Sequence, residues 1–178
     1  ISVEKTGYYA PIKYVTFSSW NSTSTNNIEL LPSHSTLVNV YLDGKPVGGA
    51  LVRFMDEFTF SNTQIGITDN NGQYKFNLPE DYYSVYVDYF YDNMHYVYIG
   101  NYTPYYNSTV NISLSQGVIF SGYVYYGNVP LAGAGVMLFH GKNFLRVYTN
   151  GSGYFSAYVP RGSYSVGVVG YNATTSQP

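Results

Sequence analysis

Apolar and polar residues alternate with a period of two along much of this chain, which is the pattern of β-strands that bury one face. The segments 83–87 and 164–168 are the clearest examples, with an apolar residue at every second position. We therefore predict an all-β protein. The expected strands lie at about 36–42, 49–54, 64–68, 73–78, 82–90, 94–99 and 109–115, and then at about 118–126, 134–139, 144–148, 154–158 and 163–170.

The chain also contains an internal repeat. Residues 45–54 (KPVGGALVRF) correspond to residues 129–138 (VPLAGAGVML), and residues 68–79 correspond to residues 149–160. The two copies keep the same order of parts and differ by a three-residue change in one loop. Repetition of this kind predicts two copies of one structural unit.

Turn residues mark the ends of the expected strands in both copies. Asn71-Gly72 and Ser152-Gly153 lie between alternating segments, which is a signal for a β-hairpin. Pro79 and Pro160 are expected to end their strands, because proline has no N–H to donate to a neighbouring strand.

This double pattern resembles the carboxypeptidase regulatory-like family, whose members have a transthyretin-like β-sandwich. The resemblance covers residues 36–115 well and residues 117–171 in part. It implies a seven-stranded sandwich for a complete copy, a fold that many secreted proteins use as a spacer or a binding module. We expect an N-terminal extended donor strand followed by two tandem Ig-like or transthyretin-like β-sandwich domains, of which the second is incomplete.

The expected organisation has four parts. They are an N-terminal tail at 1–20, a polar linker at 21–35, a first domain at 36–116 and a second domain at 117–178 that lacks its terminal strands. Segments that stay disordered in water have low hydrophobicity. The tail is rich in apolar residues, so we expect it to join a sheet. The tail residues that we expect to form a donor strand are Ile1, Val3, Tyr8, Ile12, Tyr14, Val15 and Phe17.

A spare strand at one end and an unfinished sandwich at the other are complementary. The first copy has two further strands after its Tyr-x-Val-x-Val segment, and the second copy has none. The tail can reach about 65 Å when extended, so it can insert into the next molecule by donor-strand complementation. Insertion into its own molecule and a disordered tail are the alternatives.

The composition of the chain narrows the possible functions. The net charge is −2 and there is no basic cluster, so nucleic acid is not an expected partner. The chain has no cysteine, which excludes disulfides and thiolate chemistry. It has no apolar run of about 18 residues, so we expect no transmembrane segment. The chain starts at Ile1 rather than at a methionine, so we expect a precursor whose signal segment has been removed; a truncated chain is the alternative.

Potential N-glycosylation sites are more frequent than the composition explains. About three Asn-x-Ser/Thr sequons are expected by chance. The sequence contains six, at Asn21, Asn101, Asn107, Asn111, Asn150 and Asn172. We interpret the excess as the mark of an exported protein that carries covalent N-linked glycans and no other cofactor. The alternative is that a protein rich in polar strands and turns accumulates sequons through its composition.

The β-strand tail at 1–18, the all-β head, the sequons and the lack of cysteine together resemble the thread pilins, which form glycosylated surface filaments in thermoacidophilic archaea. This resemblance implies an extracellular structural protein whose partners are identical subunits and, in adhesion, other cells or surfaces. The alternative is a monomeric cell-surface module that binds carbohydrate or protein. Its aromatic face would consist of Tyr82, Tyr83, Tyr86, Tyr89, Tyr91, Tyr96 and Tyr98, although we favour cross-strand packing or a subunit interface as their role.

We find no pattern that predicts an enzyme or a metal site. Asp69, Asn71 and Gly72 have part of the spacing of a calcium loop but lack its further acidic ligands, so turn residues are the better interpretation. The three histidines, His34, His95 and His140, have no ligand-like neighbours in the sequence. We expect them to be structural or surface residues.

Overall fold

The computed structural model describes residues 8–9, 23, 25, 27–56, 63–105 and 108–169, and the regular structure there is all β. The first nine strands are β1 (Tyr8–Tyr9), β2 (Leu31–Leu42), β3 (Lys45–Pro46), β4 (Leu51–Asp56), β5 (Thr63–Ile67), β6 (Gln73–Pro79), β7 (Tyr83–Tyr91), β8 (Met94–Tyr102) and β9 (Ser108–Ser113). The remaining seven are β10 (Ser115–Tyr123), β11 (Tyr125–Tyr126), β12 (Val129–Pro130), β13 (Gly135–His140), β14 (Asn143–Tyr148), β15 (Tyr154–Pro160) and β16 (Ser165–Val169).

The strands form several sheets that are antiparallel except for the β2–β9 pair, an arrangement consistent with β-sandwich domains. In the first repeat (36–116), β2 pairs with β6 on one side and with β9 on the other. A six-stranded sheet runs in the order β15-β10-β8-β7-β4-β5 and so contains strands of both repeats. In the second repeat (117–178), β13 lies between β14 and β16. The strands of the expected list are present, with ends shifted by a few residues.

Both repeats contain the same turn. The N–H of Val40 donates to the carbonyl of Gly72 at 2.8 Å, and the N–H of Val124 donates to the carbonyl of Gly153 at 2.9 Å. Gly72 and Gly153 both have φ of 73°, a left-handed conformation that favours glycine. The hydrogen bonds therefore match the two repeats residue by residue in the same way as the sequence does.

A matched threonine holds the start of each repeat to this turn. The Thr68 hydroxyl donates to the carbonyl of Val47 at 2.6 Å and accepts from the N–H of Ala50 at 2.9 Å. Thr149 makes the same pair of bonds, to the carbonyl of Leu131 and from the N–H of Ala134. These hydrogen bonds satisfy backbone groups that would otherwise be buried without partners.

The core of the first repeat lies between the β2–β6–β9 strands and the β4–β7–β8 strands. Phe54 occupies its centre and contacts the rings of Phe76 and Tyr83, with ring centroids 4.9 and 6.0 Å apart. The other buried members are Val38, Val40, Val47, Ala50, Val52, Leu78, Val85, Val87, Ile112 and Leu114. Leu114 is also the one residue between β9 and β10, and its N–H donates to the carbonyl of Tyr41 at 2.8 Å.

The core of the second repeat includes side chains from the first. Val136, Leu138, Leu145, Phe155 and Val159 pack together with Tyr86, Val97 and Ile99, which lie on the outer face of β7 and β8. Consequently β7 is buried on both faces from its first to its fifth residue. A strand covered on both faces has apolar residues in both phases of the alternation, as this one does.

Hydrogen bonds also join the two repeats at this face. The Tyr86 hydroxyl donates to the carbonyl of Tyr158 at 3.0 Å, and the Ser84 hydroxyl donates to the carbonyl of Phe144. These contacts cover the side of the second repeat that carries β14 and β15. We call this contact the repeat junction.

Two expectations need correction. Residues 31–35 belong to β2 rather than to the expected 21–35 linker, because residues 33–35 pair with residues 77–79 of β6. The turn at Asn71-Gly72 is not a hairpin. It carries the chain from β5 in one sheet to β6 in another, and its glycine carbonyl bonds to β2. Ser152-Gly153 makes the same crossing from β14 to β15.

Candidate functional site

Two strands of the second repeat each lack, among the described residues, a partner that the matching strand of the first repeat has. In the first repeat, β2 is flanked by β6 and β9, and β7 is flanked by β4 and β8. Their counterparts are β10 and β16. From Gly117 to Tyr123, β10 pairs with β15 alone, and β16 pairs with β13 alone. No counterpart of β8 or β9 occurs in the described part of the second repeat.

Apolar side chains are exposed along these two edges. Val166 and Val168 of β16 are 50% and 47% exposed, whereas their counterparts Val85 and Val87 of β7 are 2% and 0% exposed. On β10, Val118 is 36% exposed. The two valine positions are therefore core on β7 and surface on β16.

Two aromatic side chains, Phe120 and Tyr164, are partly buried against the second core near these strands. Phe120 of β10 contacts Tyr164 with ring centroids 5.9 Å apart. The Tyr164 hydroxyl donates to the carbonyl of Pro160 at 2.7 Å, and partial burial raises the pKa of Tyr164 above its usual value. We call this surface the open side; it consists of Val118, Phe120, Tyr164, Val166 and Val168. An apolar surface with two unpaired strand edges can accept a further β-strand.

The first repeat shows what such a strand does. There β9 runs parallel to β2 in register from Thr36–Ser108 to Tyr41–Ser113. Ile112 of β9 and the following Leu114 are buried in the core, and Asn111 faces outward. An apolar residue at every second position is thus what the open side requires of an added strand.

Of the expected donor residues, only Tyr8 lies among the described residues. It is 42% exposed, and β1 pairs it with Pro32 and pairs Tyr9 with Leu31, at the beginning of β2. This short contact is with the first repeat and not with the open side. Ile1, Val3, Ile12, Tyr14, Val15 and Phe17 lie outside the described residues.

Three of the six sequon asparagines are described, and all three are exposed. Asn111 accepts a hydrogen bond from the side chain of Asn39 at 2.9 Å on the outer face of the β2–β9 pair. Asn101 donates its side-chain N–H to the carbonyl of Lys142 at 2.9 Å, a contact between the repeats. Asn21, Asn107 and Asn172 lie outside the described residues.

Asn150 has a structural role. Its side-chain oxygen accepts hydrogen bonds from the N–H groups of Ser152 and Tyr154, each at 3.0 Å. Asp69 does the same for Asn71 and Gln73 in the first repeat. The sequon at Asn150 therefore coincides with a turn that needs Asn or Asp. The same bonds make Asp69 a turn residue, as expected in preference to a calcium ligand.

A second candidate site is a cavity of about 330 Å³ at the repeat junction. Its polar lining residues are Arg53, Asp88 and Ser156. The guanidinium of Arg53 lies 5.1 Å from the ring centroid of Tyr86, and its Nε is buried without a hydrogen bond. Burial lowers the pKa of Arg53 and raises the pKa of Tyr86, so the phenol of Tyr86 stays protonated and able to donate.

The tyrosines weighed as a sugar-binding face do not form one surface. Tyr83 is buried in the first core, and Tyr89, Tyr96 and Tyr98 pack against it. Tyr86 lies at the repeat junction on the opposite face of β7, whereas Tyr82 and Tyr91 are exposed. Packing is therefore the role of most of them.

His95 has a structural role that the sequence did not reveal. Its ring lies 2.8 Å from a carboxylate oxygen of Asp88 and stacks on Tyr158 at 3.6 Å between centroids. Asp88 and His95 are seven residues apart but close across the β7–β8 turn. No group of three metal-ligating side chains occurs within the described ranges. That part of the chain also has no helix long and apolar enough to cross a membrane.

No protein-family model and no curated protein matches the chain. Three solved structures are similar over much of it. The TIE protein of Bacillus anthracis has a TM-score of 0.38 and 17% identity, over 82% of this chain and 30% of that chain. A DUF3823 family protein from Parabacteroides merdae has a TM-score of 0.38 and 10% identity, over 72% of this chain and 81% of that chain.

The third structure is the shaft pilin SpaA from Lactobacillus rhamnosus GG. It has a TM-score of 0.35 and 10% identity, over 79% of this chain and 89% of that chain. With TM-scores under 0.5, these likenesses assign neither a family nor a function.

Proposed function

We propose that this protein is the structural subunit of an extracellular, glycosylated filament, and not an enzyme. In this proposal the tail of one subunit inserts into the open side of the next by donor-strand complementation. The observation that supports it best is the half-exposure of Val166 and Val168 at positions where the first repeat buries Val85 and Val87. Burying apolar surface of this kind is the main driving force of association.

The inserted strand would take the place that β9 has in the first repeat. It would lie beside β10, present alternate apolar residues to Phe120 and Tyr164, and leave its other face in solvent. A contact between different patches on identical molecules repeats without closing and produces a fibre. Adhesion to cells or surfaces is the role that we assign to such a fibre.

Deletion of residues 1–18 tests this proposal. The full chain is expected to form fibres visible by electron microscopy, and the truncated chain is expected to remain monomeric. A synthetic peptide of residues 1–18 should then raise the melting temperature of the truncated chain, since a bound ligand stabilises the folded state.

The matched control is the same peptide with Val3, Ile12 and Val15 replaced by aspartate, which should leave the melting temperature unchanged. Fibres formed by the truncated chain as readily as by the full chain would refute the proposal. Insertion of the tail into its own molecule predicts monomers for both chains and stabilisation by the peptide for the truncated chain alone.

Glycosylation is part of the proposal and has its own test. Asn111 is the described sequon at which a glycan would point to solvent and leave the repeat junction and both turns intact. Mass spectrometry of peptides from the native protein should therefore find a glycan on Asn111. An unmodified Asn111 peptide as the sole form would contradict this part.

The second candidate function is a monomeric surface module that binds carbohydrate. The junction cavity favours it, because Arg53, Asp88 and Ser156 supply donors and acceptors beside the apolar wall of Ile119 and Leu145. This function predicts a monomer that binds neutral hexoses. Replacement of Arg53 by methionine should abolish that binding. The surface substitution Arg161→Met is the matched control. Saturation-transfer NMR with glucose, mannose and galactose separates the two functions.

A further inference from the structure

The pairing of β2 with β9 differs from every other strand pairing in the described residues, because it is parallel. Six residue pairs run from Thr36–Ser108 to Tyr41–Ser113. In a parallel pair, the beginning of one strand and the end of the other lie at opposite ends of the ladder. The segment before β2 therefore leaves the pair at one end, and the segment after β9 leaves it at the other end.

These two segments connect the pair to the tail on one side and to the second repeat on the other. In the sequence the tail precedes β2, which begins at Leu31. After β9, the single residue Leu114 leads into β10, which borders the open side. Tension applied between the tail and the second repeat along the chain therefore pulls β2 toward its beginning and β9 toward its end.

This geometry loads the pair in shear. All six residue pairs bear the load together, so they must separate at the same time. If both strands were pulled from the same end, the pairs would open one after another, each at a low force. Resistance to pulling depends on the barrier to unfolding, and the shear geometry raises that barrier.

Side chains on both faces reinforce the ladder. On the inner face, Val38, Val40 and Ile112 are fully buried. On the outer face, the side chain of Asn39 donates to Asn111 at 2.9 Å and accepts from Gln73 of β6 at 3.0 Å. Sliding β9 along β2 would break the Asn39–Asn111 bond and remove Ile112 from its site in the core, while the Gln73 bond holds Asn39 in place.

We propose that the parallel β2–β9 pair is a mechanical clamp that bears tension passing along the chain. Its use in a fibre rests on the proposed function. In that case a tail strand inserted beside β10 in the same orientation would form a second clamp of the same design. The clamp itself is a property of one molecule and can be measured without assembly.

Pulling single molecules in an atomic force microscope tests the clamp. The natural chain has no cysteine, so two introduced cysteines define the points of attachment. The pair Thr25→Cys and Ser115→Cys loads β2 and β9 in shear. The pair Thr25→Cys and Tyr105→Cys loads the same strands from the same end, because Tyr105 precedes β9. All three positions are exposed.

We expect the shear pair to rupture at a force several-fold higher than the same-end pair, at the same pulling speed. Equal melting temperatures of the two double variants would show that both are folded alike. Equal rupture forces, or a lower force for the shear pair, would overturn the clamp. That outcome would leave the fibre untouched, and failure of the truncation test would leave the clamp untouched.

Discussion

The two repeats share a turn and differ in what surrounds their strands. Six backbone hydrogen bonds around the turn recur with the same partners at corresponding positions, from Val40–Gly72 and Val124–Gly153 onward. The valines two positions apart on β7 and β16 are nevertheless buried in one repeat and half-exposed in the other. The turn is thus specified locally, and the closed core depends on strands that only the first repeat supplies within the described residues.

The strongest test of this comparison places a charge at one matched position in each repeat. Val87→Asp should cost about 4 kcal/mol of folding free energy, because a buried carboxylate without a partner is strongly destabilising. Val168→Asp should cost less than about 1 kcal/mol in the isolated chain, since that position is half-exposed. Urea denaturation gives both values.

The same two variants also separate stability from assembly. Val168→Asp is expected to abolish fibres seen by electron microscopy while the subunit stays folded, because it puts a charge on the open side. Equal losses of stability at the two positions would show that the second repeat is closed in solution and would end the comparison.

A milder pair of substitutions measures packing alone. Val85→Ala should cost about 2 kcal/mol, since it removes buried methyl groups and leaves a cavity. Val166→Ala should cost less than about 0.5 kcal/mol in the isolated subunit. Thermal denaturation of matched samples gives the difference. Within fibres, the cost at Val166 should rise toward the value at Val85, and an unchanged cost there would argue against strand insertion.

Substitutions at the turn should give the opposite result. Thr68→Val and Thr149→Val each remove a hydroxyl that bonds a buried carbonyl and a buried N–H, so each should cost about 1.5 kcal/mol. Urea denaturation should give the two variants the same loss to within about 0.5 kcal/mol. A loss of stability in Thr68→Val alone would show that the hydrogen bonds of Thr149 do not stabilise the second repeat.

The smallest effect concerns Tyr86, whose counterpart in the second repeat is Gly167. Burial raises the pKa of Tyr86 above the ordinary phenol value of about 10. The stability that depends on the protonated phenol is complete below that pH and falls as the pH rises above it, because the unfolded chain releases the proton first. Tyr86→Phe should cost about 1 kcal/mol at neutral pH through the lost bond to Tyr158.

Above pH 10 the Tyr86→Phe variant should lose stability less steeply than the natural chain, as followed by circular dichroism during urea denaturation. The control is Tyr126→Phe, because Tyr126 is 78% exposed. The same slope for all three proteins would contradict the role of Tyr86 at the repeat junction.

Much of the fold follows from local sequence patterns. Period-two alternation predicted the strands, and repetition predicted the matched turns of the two copies. Pro79 and Pro160 end β6 and β15 as expected. These features depend on residues close together in the chain, so a single sequence reveals them.

The repeat junction could not be predicted in the same way. The cavity around Arg53 and the contact of His95 with Asp88 and Tyr158 join residues that are distant in sequence or lie across a strand pair. One signal was present. Segment 83–87 has apolar or small residues in both phases, which is typical of a strand covered on both faces. Its counterpart has Gly167 in the place of Tyr86, so only the first repeat carries this signal.

The connection at Leu114 has a consequence for shape. A single buried residue lies between the strands of the two repeats, and its N–H donates to the carbonyl of Tyr41. The chain therefore has no flexible linker at this point. Molecules joined end to end would therefore bend and turn by the same amount at every step. The repeat junction holds the same angle, so the bend within each subunit of a long assembly would stay fixed even if glycines were inserted after Leu114.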